Sequence, residues 1–174
     1  MKMPKTEYQL VLEGDGAAYE DIFNKGWCVG YTEVFGSTLP AGFHFEFEGK
    51  TWIVDDQYCM NPSCRRNEAL LAFIEFIQDK RPLTPSFAVR VSLGTGSYRV
   101  ESSDDSPPYN GIDAIVGRFM QGTVGAHEVL GRRYADMKAR GSELREDRRL
   151  EKERHVAAAP GRNAPCPCGS DKKY

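Results

Sequence analysis

The sequence predicts an α+β fold with a mostly antiparallel sheet, then one or two helices, a charged connector and a small cysteine-bearing tail. Three observations predict it. Apolar and polar residues alternate in two segments, apolar residues then recur at helical spacing, and a run of charges precedes two closely spaced cysteines. We expect a folded body over residues 1–141, the connector over residues 142–160 and the tail over residues 161–174.

The alternating segments predict two β-hairpins. Residues 43–54 alternate three phenylalanines with polar residues, pass through Glu-Gly-Lys and continue as an apolar run. Residues 87–101 repeat the alternation, with a Gly-Thr-Gly-Ser turn before the returning strand. Residues 68–77 fit a helical face as well as a strand, but their strand-rich neighbours and the nearby Pro82 and Pro85 favour a strand.

Helical spacing begins after the second hairpin. Apolar residues within 112–119 and again within 129–137 predict helices, and Gly122 and Gly125 are expected to divide them into two. We expect Gly141 to cap the second helix. Both helices should pack on one side of the sheet, because each has a single apolar stripe to bury.

The connector is dominated by charge. Between Ser142 and His155 almost every residue is charged, and Leu144 and Leu150 are too sparse to form a coiled-coil seam. This composition fits a solvated helix or a flexible tether. The Ala-Ala-Ala-Pro-Gly run that follows is expected to end any helix.

Composition argues against several classes of protein. With 174 residues, 40% hydrophobic and 28% charged, the chain has the size and composition of one soluble domain with a tail. The formal charge of -2 disfavours nucleic acid as a direct ligand, and no apolar run is long enough for a signal peptide or membrane span. We expect a cytoplasmic protein, whose five cysteines indicate metal binding or burial in preference to disulfides.

The tail carries the most specific pattern in the sequence. Residues 161–174 read GRNAPCPCGSDKKY, which closely resembles the SEC-C motif, a zinc-binding module found at the C-terminus of the translocase ATPase SecA and in many other proteins. Ala164 occupies a variable position of that pattern, and Asp171 stands where glycine is usual. Two thiolates that bracket one proline can anchor one side of a tetrahedral zinc site, and Gly169 lets the backbone turn toward the metal.

The resemblance implies that Cys166 and Cys168 are two of four zinc ligands. By the spacing of the motif, the other two ligands fall after Tyr174, where the given sequence stops. We expect this half-site to bind zinc poorly, because a structural zinc needs four protein ligands. We interpret the missing ligands as a truncation in preference to a natural loss.

A second cysteine pair lies in the body. Residues 58–66 read YCMNPSCRR and resemble a segment, YC-x-NP-x-C-x-C, of some proteins that carry SEC-C motifs. The resemblance implies zinc binding by Cys59 and Cys64, and the Asn-Pro between them predicts a turn that brings both thiols to one side. Arg66 stands where a third cysteine is expected, so a vestigial site or ordinary buried thiols are the alternatives.

Completion of that site would need further ligands. Cys28 and His44 are the nearby candidates, although Cys28 also fits an ordinary core residue. We predict that the sulfurs of Cys59 and Cys64 lie near each other without two further ligands to close a tetrahedron.

No pattern in the sequence identifies a catalytic site. None of the three histidines belongs to a recognisable nucleophile pattern, and Asp55-Asp56 is expected to be a solvated turn at a strand end. The alternative function is nevertheless an enzyme of unknown reaction, with its active site in the body and the tail as a recruiter. A pocket that gathers Cys28, His44 and Cys59 would favour that alternative.

The preferred function is a zinc-binding interaction module. The resemblance implies contact with a protein or a ribosome, because the SecA tail is associated with the chaperone SecB and with ribosomes. Arg162, Lys172 and Lys173 make the tail locally basic, so we predict that these residues contact the partner. Direct nucleic-acid binding ranks below both functions, since the chain lacks a basic stripe.

Overall fold

A computed structural model describes residues 5–36, 43–78, 84–101, 109–123 and 125–158. The chain divides into two compact units, residues 1–141 and residues 142–174. The sheet belongs to the first unit. The predictions for residues 161–174 fall outside the described residues.

The described residues form helices and strands in the following order. They are α1 (Glu7–Leu12), α2 (Gly16–Phe23), β1 (Cys28–Gly30), α3 (Tyr31–Phe35), β2 (Phe43–Phe47), β3 (Lys50–Cys59), β4 (Glu68–Phe76), β5 (Phe87–Ser92), β6 (Tyr98–Glu101), α4 (Ile112–Gly122) and α5 (Ala126–Ala158). This order, with an antiparallel sheet followed by helices, confirms the predicted α+β class.

The sheet is antiparallel and centred on the long strand β3. The strand order is β1-β3-β4-β5-β6, and β2 also pairs with β3. Along β3, Lys50–Val54 pairs with β2, and the later stretch Gln57–Cys59 pairs with β1. The predicted hairpins are therefore confirmed as β2-β3 and β5-β6, and the ambiguous segment is confirmed as strand β4.

One face of the sheet is buried beneath α4 and α5. Alternate residues of β3 and β5 are buried, because successive side chains of a strand point to opposite faces. Phe119 of α4 is fully buried and packs edge-on against the rings of Phe43 and Phe73. Leu130 and Met137 of α5 are also fully buried. The predicted pair of helices, separated near Gly122 and Gly125, is thus present.

The prediction that Asp55-Asp56 forms a solvated turn is wrong, because both residues lie inside β3. Asp56 is 1% exposed, and its carboxylate accepts hydrogen bonds from the Arg133 guanidinium at 2.7 Å and the Tyr58 hydroxyl at 2.7 Å. A charge buried this deeply is tolerated only with such partners. The local sequence did not predict this arrangement, because Arg133 arrives from the distant helix α5.

The predicted cap at Gly141 is also wrong, since α5 continues through this residue to Ala158. A Cβ atom placed on Gly141 would lie 1.9 Å from the Met60 carbonyl oxygen. Glycine is therefore required here by the close approach of the loop after β3, and its conformational freedom is not the reason.

The helices α1, α2 and α3, which precede β2, were not predicted. They are short, so their apolar residues do not establish a clear helical period. Local signals were nevertheless present. Thr6 and Gln9 form a capping box at α1, and the Asp15 carboxylate caps α2 by accepting from two backbone N–H groups. Tyr8 of α1 and Ile22 of α2 are buried in the core of the first unit.

The described part of the connector, residues 142–158, is helical. Its residues up to 156 are mostly exposed, and Arg149 pairs with Glu146 at 2.5 Å and Glu153 at 2.6 Å. Of the two predicted alternatives, the solvated helix is the one found. The helix reaches Ala158, the last described residue, so the predicted helix end at the Ala-Ala-Ala-Pro-Gly run extends outside the described residues.

Candidate functional site

The loop after β3 places two cysteines beside each other. Cys59 is the last residue of β3, and the chain then reverses through a turn in which Cys64 N donates to the Asn61 carbonyl at 3.0 Å. The Asn61 side chain tightens the turn by accepting from Ser63 N at 2.8 Å. Asn followed by Pro62 is a frequent start of such turns, because proline has the required φ angle in advance.

Helix α5 holds this loop in place. Lys138 Nζ donates to the carbonyls of Asn61 at 2.7 Å and Cys64 at 3.3 Å. The Tyr134 hydroxyl donates to the Arg66 carbonyl at 3.0 Å. Together with the close approach of Gly141 to Met60, these contacts hold the loop against α5 from Met60 to Arg66.

Three thiols meet at the start of this loop. Cys59 is the register partner of Cys28 on β1, and its thiol lies close enough to Cys64 for each to influence the pKa of the other. Cys59 is 5% exposed, whereas Cys28 and Cys64 are half-buried. None of these three forms a disulfide. The predicted close approach of the Cys59 and Cys64 sulfurs stays a prediction.

Two guanidinium groups lie against the thiols. Arg66 Nε donates to Cys64 Sγ at 3.4 Å, and Arg66 Nη2 donates to the Gly26 carbonyl at 3.4 Å. Arg90 Nη1 donates to Cys28 Sγ at 3.7 Å. The position where the resembling pattern has a third thiol therefore contributes a positive charge that contacts a thiol. Sequence reasoning identified Arg66 only as a missing ligand, and it did not find Arg90, which β5 brings to the same face.

The two neighbouring thiols differ in acidity. Burial is the main influence on Cys59 and raises the pKa of its thiol. Partial burial acts in the same direction on Cys64, but the neighbouring Arg66 backbone, Arg66 guanidinium and Cys59 thiol outweigh it and lower its pKa to about 7. Cys64 is therefore the more easily ionised of the two thiols.

The described residues contain no group of three or more His, Cys, Asp or Glu side chains placed to hold a metal ion. His44 is exposed on β2 and pairs with Ile53. Ile53 and Cys59 lie six residues apart on the same strand, so roughly 20 Å separates them. His44 is thus remote from the thiols. Zinc binding by Cys59 and Cys64 stays a prediction.

Two cavities bear on the enzymatic alternative. One of about 590 Å³ is lined by Cys28, Glu33 and Asp55, and burial raises the pKa of the Asp55 carboxyl. Another of about 460 Å³ is lined by Trp52, Lys50 and Tyr109, among others. Neither of these two cavities gathers Cys28, His44 and Cys59, the arrangement that would favour the enzymatic alternative.

The remaining predicted site residues lie outside the described residues. They are Cys166 and Cys168, predicted as zinc ligands, and Arg162, Lys172 and Lys173, predicted to contact a partner.

The first unit is thus an α+β domain with a cluster of thiols and guanidinium groups, and a cysteine-bearing tail follows it in the chain. The family model of the SEC-C motif matches residues 162–174. The chain is therefore a protein that contains a SEC-C motif, which is a motif of the zinc-binding type. No curated protein and no solved structure matches the chain. Among the described helices, none is both long and apolar enough to cross a bilayer.

Proposed function

We propose that this protein is a zinc-binding interaction protein whose SEC-C motif docks onto a protein or ribosome partner. The observation that carries the proposal is the motif match at residues 162–174. The match includes Cys166 and Cys168, whose Cys-Pro-Cys spacing suits two ligands of one tetrahedral zinc. A module this small has too little core to fold without its metal, so zinc and partner binding are expected to go together.

The charges of the motif indicate the kind of surface that receives it. Arg162, Lys172 and Lys173 lie within a stretch of 13 residues that contains one acid, Asp171. Such a segment is positive although the whole chain carries a formal charge of -2. An acidic protein groove or the phosphate-rich surface of a ribosome would attract it at short range.

A sedimentation experiment tests the proposal. We expect the zinc-loaded protein, supplied with two further ligands at the motif spacing, to co-sediment with purified ribosomes or with an acidic partner protein at low salt. Substitution of Lys172 and Lys173 by serine should weaken binding roughly fivefold, or about 1 kcal/mol. Binding should also fall as salt rises, because exposed charges are screened.

The matched control removes two positive charges from the connector. Lys152→Ser with Arg154→Ser changes the net charge equally but leaves the motif intact, so we expect no more than a small loss of binding. Equal weakening by both double variants would show that net charge, and not a docked motif, produces the association. Binding that survives removal of zinc and of Cys166 would contradict the proposal.

A further inference from the structure

We propose that the cavity of about 460 Å³ between the β2-β3 hairpin and the start of α4 binds a small aromatic carboxylic acid, whose carboxylate accepts a hydrogen bond from the indole N–H of Trp52. The residues that line the cavity lie between 47 and 115, within the first unit and outside the SEC-C motif. The inference therefore goes beyond the proposed docking function and stands independently of it.

The first argument is an indole N–H that lacks an acceptor. Trp52 is 1% exposed and lies on the buried face of β3. Its Nε1 atom is buried and has no hydrogen-bond partner among the described residues. Such a donor is unfavourable, because folding removes it from water without replacing the lost hydrogen bond. Since Trp52 also lines the cavity, a ligand bound there can supply the missing acceptor.

The walls of the cavity suit a flat, apolar body. The ring of Tyr109 stands edge-on to that of Trp52, with 5.7 Å between the two centroids. Phe47 and Ile115 also line the cavity. Aromatic rings pack favourably against one another in stacked or edge-on arrangements. The volume of about 460 Å³ lies within the range of roughly 300–1,000 Å³ that is typical of small-molecule sites. The walls therefore indicate an aromatic ligand of small-molecule size.

The start of α4 favours a negatively charged oxygen. Asn110 and Gly111 line the cavity, and Gly111 is the N-cap residue of this 11-residue helix. Glycine has no side chain that could accept from the first N–H groups of the helix, and no side-chain capping bond is present at Gly111. Carboxylates bind well at such helix starts, because the N–H groups lack partners and the dipole is positive there. The helix and the indole N–H thus favour the same kind of atom.

The charged side chains around the cavity are compatible with an anion. Lys50 lines the cavity, and its ammonium lies 2.9 Å from the Glu75 carboxylate, so the charge of Glu75 is balanced. Asp113, in the first turn of α4, accepts a hydrogen bond from the Tyr98 hydroxyl. Glu48 also lines the cavity, but it is exposed to solvent, which screens its repulsion. A bound carboxylate therefore gains the donors without facing a buried, unbalanced acid among the described residues.

NMR spectroscopy of the full chain with phenylacetate tests the proposal. The sequence contains two tryptophans, Trp27 and Trp52, so the proton–nitrogen correlation spectrum has two indole N–H signals, and Trp27→Phe assigns them. We expect phenylacetate to move the Trp52 signal downfield, because the indole proton gains an acceptor. A Kd on the order of 1 mM is expected for a ligand of this size. The signal of Trp27, which is 51% exposed and outside the cavity lining, should stay in place.

Phenylacetamide separates a charged acceptor from a neutral one. It has nearly the same shape as phenylacetate but no charge. We expect it to bind roughly fivefold more weakly, because the start of α4 and the Lys50 ammonium favour a negative charge. Equal affinities for the acid and the amide would overturn the assignment of a carboxylate ligand.

Two matched pairs of variants locate the site. Ala114 is an exposed residue of the cavity wall, so Ala114→Leu should fill part of the cavity and weaken phenylacetate binding roughly tenfold. Gln121→Leu places the same side chain at an exposed position of α4 outside the cavity lining, and it should bind like the wild type. Lys50→Gln should weaken binding roughly threefold. Lys25→Gln removes another exposed lysine that is paired with a carboxylate, and it should have no effect.

The outcomes that would overturn the inference are equally specific. A Trp52 signal that stays in place at saturating phenylacetate would show that the indole N–H meets no ligand. Equal movement of both indole signals would indicate non-specific contact with the surface. Equal binding by Ala114→Leu and Gln121→Leu would place the ligand outside this cavity.

Discussion

At the scale of single residues, the face of the strand decides the role of a carboxylate. Asp55 and Asp56 are adjacent in β3 and therefore point to opposite faces. Asp56 is buried against Arg133 and Tyr58 in the core. Asp55 lies on the other face, where it accepts a hydrogen bond from Gln57 at 2.8 Å and burial raises its pKa. The Asp56 carboxylate thus balances the charge of Arg133, whereas burial of the neighbouring Asp55 disfavours its ionised form.

Asp56→Ala should be strongly destabilising. The Arg133 guanidinium would lose the carboxylate that balances its charge in the interior, and breaking a buried ion pair costs about 3–5 kcal/mol. Urea unfolding followed by tryptophan fluorescence measures the change. A loss below about 1 kcal/mol, typical of a surface pair, would contradict the buried position of Asp56.

Asp55→Asn is the matched control on the same strand, and it should raise stability at neutral pH. Because burial raises the folded-state pKa of Asp55, its ionised form costs stability above that pKa. As pH falls through the folded-state pKa, the wild-type carboxyl gains its proton and the cost disappears. The advantage of the asparagine variant should therefore shrink toward pH 4 and be greatest at pH 7.

At the scale of elements, two glycines of helix α5 differ in the space around them. Gly141 lies where the helix meets the Met60 carbonyl, and a Cβ there would be 1.9 Å from the oxygen. At Gly131, in the same helix, a Cβ would meet nothing within 4 Å. Helix propensity favours alanine at both positions, so only the tertiary contact separates them.

We predict that alanine substitutions at these two glycines act in opposite directions. Gly141→Ala should lower the free energy of unfolding by roughly 1–3 kcal/mol, because the loop after β3 must move away. Gly131→Ala should raise it by about 0.5–1 kcal/mol through propensity alone. Thermal unfolding of both variants measures the two changes in stability. Stabilisation by Gly141→Ala would contradict the packing of the loop after β3 on α5.

At the scale of the whole molecule, the first unit has an aromatic and aliphatic core. Trp52, Phe73 and Phe119 are fully buried there, together with Leu130 and Met137. A core of this kind supplies folding free energy without a metal, whereas a SEC-C motif depends on one. Metal should therefore affect the two parts of the chain differently.

We predict that zinc content follows the motif. Extension of the chain by two ligands at the motif spacing should give one retained zinc per molecule, and Cys166→Ser should abolish it. A chelator should remove this zinc and leave the unfolding temperature of the first unit unchanged. Cys64→Ser is the matched control and should retain the zinc. Equal zinc content with and without the extension would contradict the four-ligand interpretation of the motif.

The sequence by itself determined the α+β class, both hairpins, the helix pair after them and the SEC-C motif. Alternation, helical spacing and a specific run of residues are local signals that a single chain displays. Tertiary structure decided the rest. It buried Asp56 by bringing Arg133 to β3, continued α5 through Gly141 against Met60, and placed Arg66 against Cys64. Each of these depends on contacts between segments distant in the chain or on a turn closed in three dimensions, and no local pattern specifies them.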